Sequence, residues 1–219
     1  LVGSEMCIRD RHNVLNALAV VVLANELGME FSEIAQSMAE FRGARRRFDM
    51  LYKSSNYSIV DDYGHHPTEI KATIETANQL NPERLVCVFQ PHRYTRTKLM
   101  LDKFSGAFSG VDKLFITEVY AAGEAPIIGA DSNAIVESIR KSTDTEVELI
   151  QFFESAHHVI GAYIKPGDQV LILGAGNVHE IGSLLARDLE VIDKLRRELD
   201  DPMTECRLYA VSYTNLTLP

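Results

Sequence analysis

Leu85-Val-Cys-Val-Phe-Gln-Pro-His-Arg-Tyr-Thr-Arg-Thr97 is the stretch on which the fold turns. Its first five residues are apolar without a break. A strand with one wet face alternates apolar and polar side chains, whereas a short unbroken run is expected of a strand buried on both faces, as in a mostly parallel sheet. Polar residues follow at once, and a helix is expected over Thr97–Phe108. The stretch reads as a buried strand feeding a helix, with its chemistry-bearing side chains at the junction.

The same order repeats outward. Downstream, strands are expected at Leu114–Glu118, Val147–Phe152 and Gln169–Leu173, and helices at Asn133–Lys141, Glu154–Ile164 and from Val178 into the charged segment Asp193–Asp201. Upstream, Pro67 suits the first turn of a helix, whose buried stripe would be Ile70, Ile74, Ala77 and Leu80. Phe48–Tyr52 and Tyr57–Asp61 flank a Ser-Ser-Asn turn and read as two strands of a hairpin or meander. Strands alternating with helices of this length imply an α/β fold, a doubly wound, mostly parallel sheet covered on both faces. Before it, His12–Gly28 and Ser32–Glu40 read as a separate pair of helices, with Gly28 as the stop of the first and Ser32 as the N-cap of the second. The basic run Arg42–Arg47 marks a boundary, with domains expected over 12–43 and 44–200. The ends, Leu1–Arg11 and Ala210–Pro219, lack any helical or strand period. They resemble translated adaptor sequence and are expected to be non-native tails that pack poorly.

Composition narrows the function. The 219 residues carry a formal net charge of -9, which argues against general binding to a nucleic-acid backbone. The three cysteines, Cys7, Cys87 and Cys206, are far apart and form no CxxC pair, so neither a disulfide framework nor a zinc site is expected, and a reducing cytoplasm fits. The longest apolar run, Ala17–Ala24, is far short of a membrane span.

Open α/β sheets bind ligands beyond the C-terminal ends of their strands, and the strings found there are the ones with chemistry. Asp61-Asp-Tyr-Gly-His-His-Pro-Thr-Glu69 gathers two carboxylates and two histidines at a helix N-terminus, a place that favours anions. Asp62 is suited to accept hydrogen bonds from sugar hydroxyls. In Phe89-Gln-Pro-His-Arg-Tyr-Thr-Arg-Thr97, His92, Arg93 and Arg96 concentrate positive charge in an otherwise acidic chain. Guanidinium groups hold carboxylates and phosphates bidentately, so this array suits an anionic substrate or intermediate. His12-Asn-Val-Leu-Asn16 places Asn13 and Asn16 one turn apart, a weaker signal of heterocycle recognition. Gly174-Ala-Gly-Asn-Val-His-Glu-Ile-Gly182 departs from GxGxxG and reads as a glycine turn for close packing. His157 and His158 are adjacent on an expected helix and should point apart, so no shared metal site is expected of them.

HNVLN, RRRFD, DDYGHHPTE, FQPHRYTRT, TEVYAAGE and LGAGN, in this order and spacing, make the chain resemble the Mur ligase family from about His12 to Leu189. The resemblance implies a Rossmann-like C-terminal domain preceded by a short helical remnant of a central ATP-binding domain. It implies an ATP- and Mg2+-dependent ligase of peptidoglycan synthesis in the cytoplasm, with a likeness strongest to members that join L-alanine to UDP-N-acetylmuramate through an acyl phosphate. Carried over by position, Asn13 and Asn16 would lie on the adenine side, Arg47 at ATP phosphate and Asp62 at the ribose. Tyr63, His65, His92, Arg93 and Arg96 would face the muramoyl and alanine site, the last three as the catalytic set. No GxxxxGK[ST] string occurs, so the phosphate cradle and the magnesium ligands are expected in a missing front part, and the polypeptide alone is expected to be inactive. A ligase that reattaches recycled tripeptide to the same sugar, or a non-catalytic nucleotide-binding module, are the alternatives.

Overall fold

The computed structural model describes residues 11–41 and 45–199, without the side chains of 11–13 and 196–199. The two tail readings fall outside the described residues, except that Arg11 opens the first helix. The chain divides into two units after Asp49.

The first unit holds helix α1 (Arg11–Glu26) and helix α2 (Phe31–Glu40). Gly28 ends α1 as expected, because it adopts φ +83°, a left-handed conformation that costs glycine nothing. Its N–H donates to the Asn25 carbonyl and that of Met29 to the Ala24 carbonyl, the paired bonds of a Schellman end. Ser32 is not the cap of α2. The helix starts one residue earlier, at Phe31, and the cap position is Glu30, which makes no side-chain capping bond. Ile34 is buried, yet Leu15, Leu18, Val20, Val22 and Leu23 of α1 are each more than half exposed.

The second unit is a six-stranded sheet. Its strands are β1 (Asp49–Lys53), β2 (Ser58–Asp62), β3 (Arg84–Phe89), β4 (Lys113–Ile116), β5 (Glu146–Leu149) and β6 (Asp168–Leu173), in the order β1-β2-β6-β3-β4-β5. Between them run α3 (Pro67–Asn78), α4 (Tyr94–Ser105), α5 (Ser132–Ser142) and α6 (Ala156–Tyr163), the last entered through a 3-10 turn at Phe153–Ser155, and α7 (His179–Leu199) follows β6. The four neighbouring pairs from β2 to β5 are parallel. β1 joins β2 through residues 54–57, too short for a parallel crossover, and the Ser54 N–H donates to the Tyr57 carbonyl to close the turn, so this edge is a hairpin.

The unbroken apolar strands are covered on both faces. Val86 and Val88 of β3 and Val170 and Ile172 of β6 join Ile160 of α6 and Ile181, Leu185 and Leu189 of α7 in one cluster. Successive side chains of a strand point to opposite faces, so Leu85, Cys87, Phe89, Leu171 and Leu173 face the other side, and all five are fully buried. Burial pushes the Cys87 thiol far above its ordinary pKa, which makes it an inert core residue. Tyr52 hydrogen-bonds the Asp193 carboxylate and ties β1 to α7.

The last strand in the chain is thus near the middle of the sheet. β6 runs Ser58↔Gln169 to Asp62↔Leu173 against β2 and Arg84↔Asp168 to Phe89↔Leu173 against β3. The chain leaves β2 and β3 toward α3 and α4 but leaves β6 toward α7, which packs in the opposite layer. Such a reversal opens a crevice above the strand ends.

Candidate functional site

Asp62, Phe89, Leu173 and Ile116 end the four central strands, and the residues after them line the crevice. After β2, Asp62 turns back on its own loop, accepting from the Gly64 N–H at 2.7 Å and the Thr73 hydroxyl at 3.3 Å. Its carboxylate is nearly buried and holds the loop shape. His66 is the N-cap of α3: its Nδ1 accepts from the Thr68 N–H, and Glu69 accepts from the His66 N–H, a reciprocal capping box with Pro67 at the first position. His66 is therefore explained by capping. His65 points elsewhere, with Nδ1 3.0 Å from the Tyr63 carbonyl and its ring edge-on to Tyr63 at 5.5 Å.

His65 meets the second string across the crevice, its ring 5.5 Å from that of His92. His92 is also stacked on Tyr120 at 5.6 Å, with the planes 10° apart. Backbone bonds fix that stack, since the Tyr120 N–H donates to the Pro91 carbonyl and the Arg93 N–H to the Tyr120 carbonyl. Arg96, in the first turn of α4, folds back so that one guanidinium nitrogen lies 3.0 Å from His92 Nδ1 and 3.2 Å from its carbonyl oxygen. Burial holds the His92 pKa below the ordinary histidine value; the charges of His65, Arg96 and Arg93 add to this and Glu124 opposes it.

Arg93 stands just outside the helix that carries Arg96. It is the cap residue of α4, at φ 70° and ψ 135°, and its side chain is exposed. A non-glycine residue at such a φ carries backbone strain of the kind concentrated at binding sites. The α4 N-terminus also has its own anion: the Glu124 carboxylate accepts from the Thr95 N–H at 3.0 Å and the Thr95 hydroxyl at 2.7 Å, and these bonds hold its pKa below the ordinary carboxylate value. An incoming carboxylate or phosphate would find Arg93 and Arg96 within one loop, beside a helix end already bonded to Glu124.

The glycine string after β6 is tight packing, as expected, but against other loops as well as its own helix. The Gln90 amide donates to Asn177 Oδ1 at 2.9 Å while its oxygen accepts from the Val178 N–H at 3.1 Å. A Cβ on Gly176 would lie 2.3 Å from Gln90 Oε1 and 2.6 Å from Tyr120 Cγ, so only glycine fits. Gln90, Tyr120, Glu124 and Asn177 lie in strings that carry the family resemblance but were given no role of their own from sequence; each follows the end of a buried strand.

Of the sequence candidates, Tyr63, His65, His92 and Arg96 come together, with Arg93 at their edge. Asn16 is exposed on α1, and Asn13 lies in its first turn with its side chain outside the described part. Arg47 is exposed between Arg46 and Phe48, both in left-handed conformations. These three belong to the first unit and Asp62 to the second. The expectation for His157 and His158 is corrected: their rings are 3.9 Å apart, because both sit in the first turn of α6 where side chains lean back toward the helix start.

Residues 46–176 match the family described as Mur ligase, glutamate ligase domain. The chain is 45% identical over 186 residues to UDP-N-acetylmuramate--L-alanine ligase of Anaeromyxobacter sp. (strain Fw109-5), and 44% identical over 182 residues to that of Syntrophus aciditrophicus (strain SB). These alignments cover 85% and 83% of this chain but 40% and 38% of the relatives, so the chain spans about two fifths of their length. Its fold is similar to that of UDP-N-acetylmuramate-alanine ligase from Thermotoga maritima, at TM-score 0.69 and 28% identity over 83% of this chain and 38% of that one. The murein peptide ligase of Psychrobacter arcticus 273-4 has the same fold at TM-score 0.58 and 22% identity, over 81% of this chain and 36% of that one.

Proposed function

The chain belongs to the Mur ligase family, and on that premise we propose that it is the C-terminal part of a UDP-N-acetylmuramate–L-alanine ligase acting in the cytoplasm. One observation carries the reading: relatives of that name are 39–45% identical over an alignment that covers 85% of the chain. Among the described residues no helix is long and apolar enough to cross a membrane.

The reaction is the transfer of the γ-phosphoryl group of ATP to the muramoyl carboxylate, followed by attack of the L-alanine nitrogen on the acyl carbon. Phosphate leaves with the bonding pair, and the nitrogen loses a proton. Both steps crowd negative charge, so preorganised cations contribute most. Arg93 and Arg96 are suited to the acyl phosphate or the alanine carboxylate, while His65, His92 and Tyr63 shape the wall against which the acceptor sits. On the nucleotide side we assign Asn13 and Asn16 to adenine, Arg47 to phosphate and Asp62 to the ribose. We read α1 and α2 as the end of the ATP-binding domain. Magnesium is not assigned to this chain. Among the described residues the His, Cys, Asp and Glu donors that cluster in threes are His157, His158 and Asp188, none of them in the crevice, and no GxxxxGK[ST] string is present.

The test is to join the chain to the matching front part of the Anaeromyxobacter ligase and assay ATP-dependent alanyl-amide formation, with the chain alone as control. Activity with L-alanine in the joined protein and none in the control is expected. Preference for the tripeptide over L-alanine would move the assignment to the recycling ligase. In the joined enzyme Arg93→Ala should cost roughly 2–4 kcal/mol of transition-state stabilisation. Unchanged kcat/KM for both acceptor substrates would make Arg93 a solvated surface charge.

A further inference from the structure

A second group of side chains, on the opposite layer from α3 and α4, belongs to no part of that reading. His157 and His158 open α6, and Asp188 comes from the middle of α7. One donor atom from each lies within 4.8 Å of the others. Nε2 of His157 is 3.9 Å from Oδ2 of Asp188, and the side chains are 12% and 30% exposed. Oδ2 of Asp188 is buried with no hydrogen-bond partner. A buried carboxylate oxygen without a donor is costly. The arrangement therefore has an unmet demand for positive charge at the point where two imidazoles converge. Arg187, the neighbouring cation, is exposed.

We propose that His157, His158 and Asp188 bind one divalent transition metal of the zinc class, which clips α6 to α7. Two imidazoles and one carboxylate are borderline donors that suit Zn2+, Co2+ or Ni2+ and not Mg2+, which keeps oxygen ligands and waters. Metal–donor distances of about 2.0–2.2 Å bring donors to about 3.4 Å from one another in a tetrahedral site, so the three close inward by about 1 Å through side-chain rotation. Three protein ligands leave a position for water. The clip joins two helices of one layer, and its role is to hold that layer rather than to carry out chemistry.

The experiment uses the whole chain stripped of metal, titrated with ZnCl2 and separately with MgCl2, with heat of binding and Tm as readouts. The weak visible absorption of CoCl2 in water should intensify strongly if the ion enters a four-coordinate protein site. One equivalent of zinc should bind, and Tm should rise by roughly 5–10 °C at a hundredfold excess over Kd, with no rise in magnesium. Asp188→Asn and His158→Gln should each weaken zinc by at least about tenfold, while circular dichroism shows them folded. Asp188→His, which removes the carboxylate but keeps a ligand, should retain binding. Zinc binding that is unaltered in Asp188→Asn and His158→Gln, or a Tm response no greater than that to magnesium, overturns the site and leaves a histidine–aspartate ion pair only.

Discussion

Two apolar runs of this chain, Ala17–Ala24 in α1 and Leu85–Phe89 in β3, are nearly equal in hydrophobicity and opposite in fate. Every residue of the second is fully buried, whereas Leu18, Val20, Val22 and Leu23 of the first are each more than half exposed. A helix that is apolar around most of its circumference is built to be surrounded, and exposure on this scale marks a face awaiting a partner. The difference teaches that an apolar run specifies burial but not what does the burying. β3 finds its cover in α4 and α7 of the same unit. For α1 we propose the cover to be the rest of an ATP-binding domain, which the relatives, about twice as long as this chain, have room to supply.

The contrast is breakable by truncating each side in turn. Phe89→Ala removes a ring packed against Phe104 and Phe108 and should cost roughly 3–5 kcal/mol in denaturant unfolding; a cost below 1 kcal/mol would mean that the sheet core is not formed as described. Gly176→Ala pushes a methyl group into Gln90 and Tyr120 and should cost about 1–3 kcal/mol, with the loss traced to the crevice if Gln90→Ala in the same chain relieves it. Arg96→Gln removes two contacts to His92 and should cost about 0.5–1.5 kcal/mol. Leu18→Ala should change stability by less than about 0.5 kcal/mol in this chain. The same substitution in the protein joined to its front part should become a core truncation of roughly 2–5 kcal/mol. Equal costs in the two settings would end the proposal that α1 is half of an interface.

Arg96→Gln has a second readout. Burial, reinforced by His65, Arg96 and Arg93, holds the His92 pKa below its unfolded value of about 6.5. Between those two values the unfolded chain binds the extra proton, so falling pH favours unfolding there; above about 6.5 the two states bind alike and the penalty is gone. A histidine NMR titration should place the His92 midpoint below 6.5, and Arg96→Gln should move it upward. A native midpoint above 6.5 would show that the crevice is more open or more anionic than its geometry implies.

Local features were the legible ones. The unbroken apolarity of Leu85–Phe89 gave a doubly covered strand, Pro67 and Gly28 marked a helix start and a helix end, and the polar strings fell at strand ends. Those strings lie side by side, with His65 near His92 and Arg96 folded back on His92, because sheets deliver their C-terminal loops to one rim. Three things were hidden. The insertion of β6 between β2 and β3 depends on pairing across more than a hundred residues for Ser58↔Gln169, which no local pattern encodes. Tyr120 and Glu124 lie in the quoted string TEVYAAGE, but their contacts to His92 and Thr95 show only once β4 is set beside β3. Adjacent histidines look divergent on an ideal helix, yet the first turn of α6 and the reach of Asp188 draw His157 and His158 together.

The late arrival of β6 also sets an order of events during synthesis. β2 and β3 touch each other only through a strand that ends at Leu173, so while the ribosome has made everything up to β5 the sheet exists as two unlinked pieces, β1–β2 and β3–β4–β5. Each of these carries an open parallel edge lined by Val60 or Val88, the kind of edge that recruits strands from other chains. The nascent protein is thus most exposed to misassembly just before its final strand emerges. A pause in translation, or a chaperone, acting between Leu149 and Leu173 would change the yield of folded protein more than the same intervention anywhere earlier.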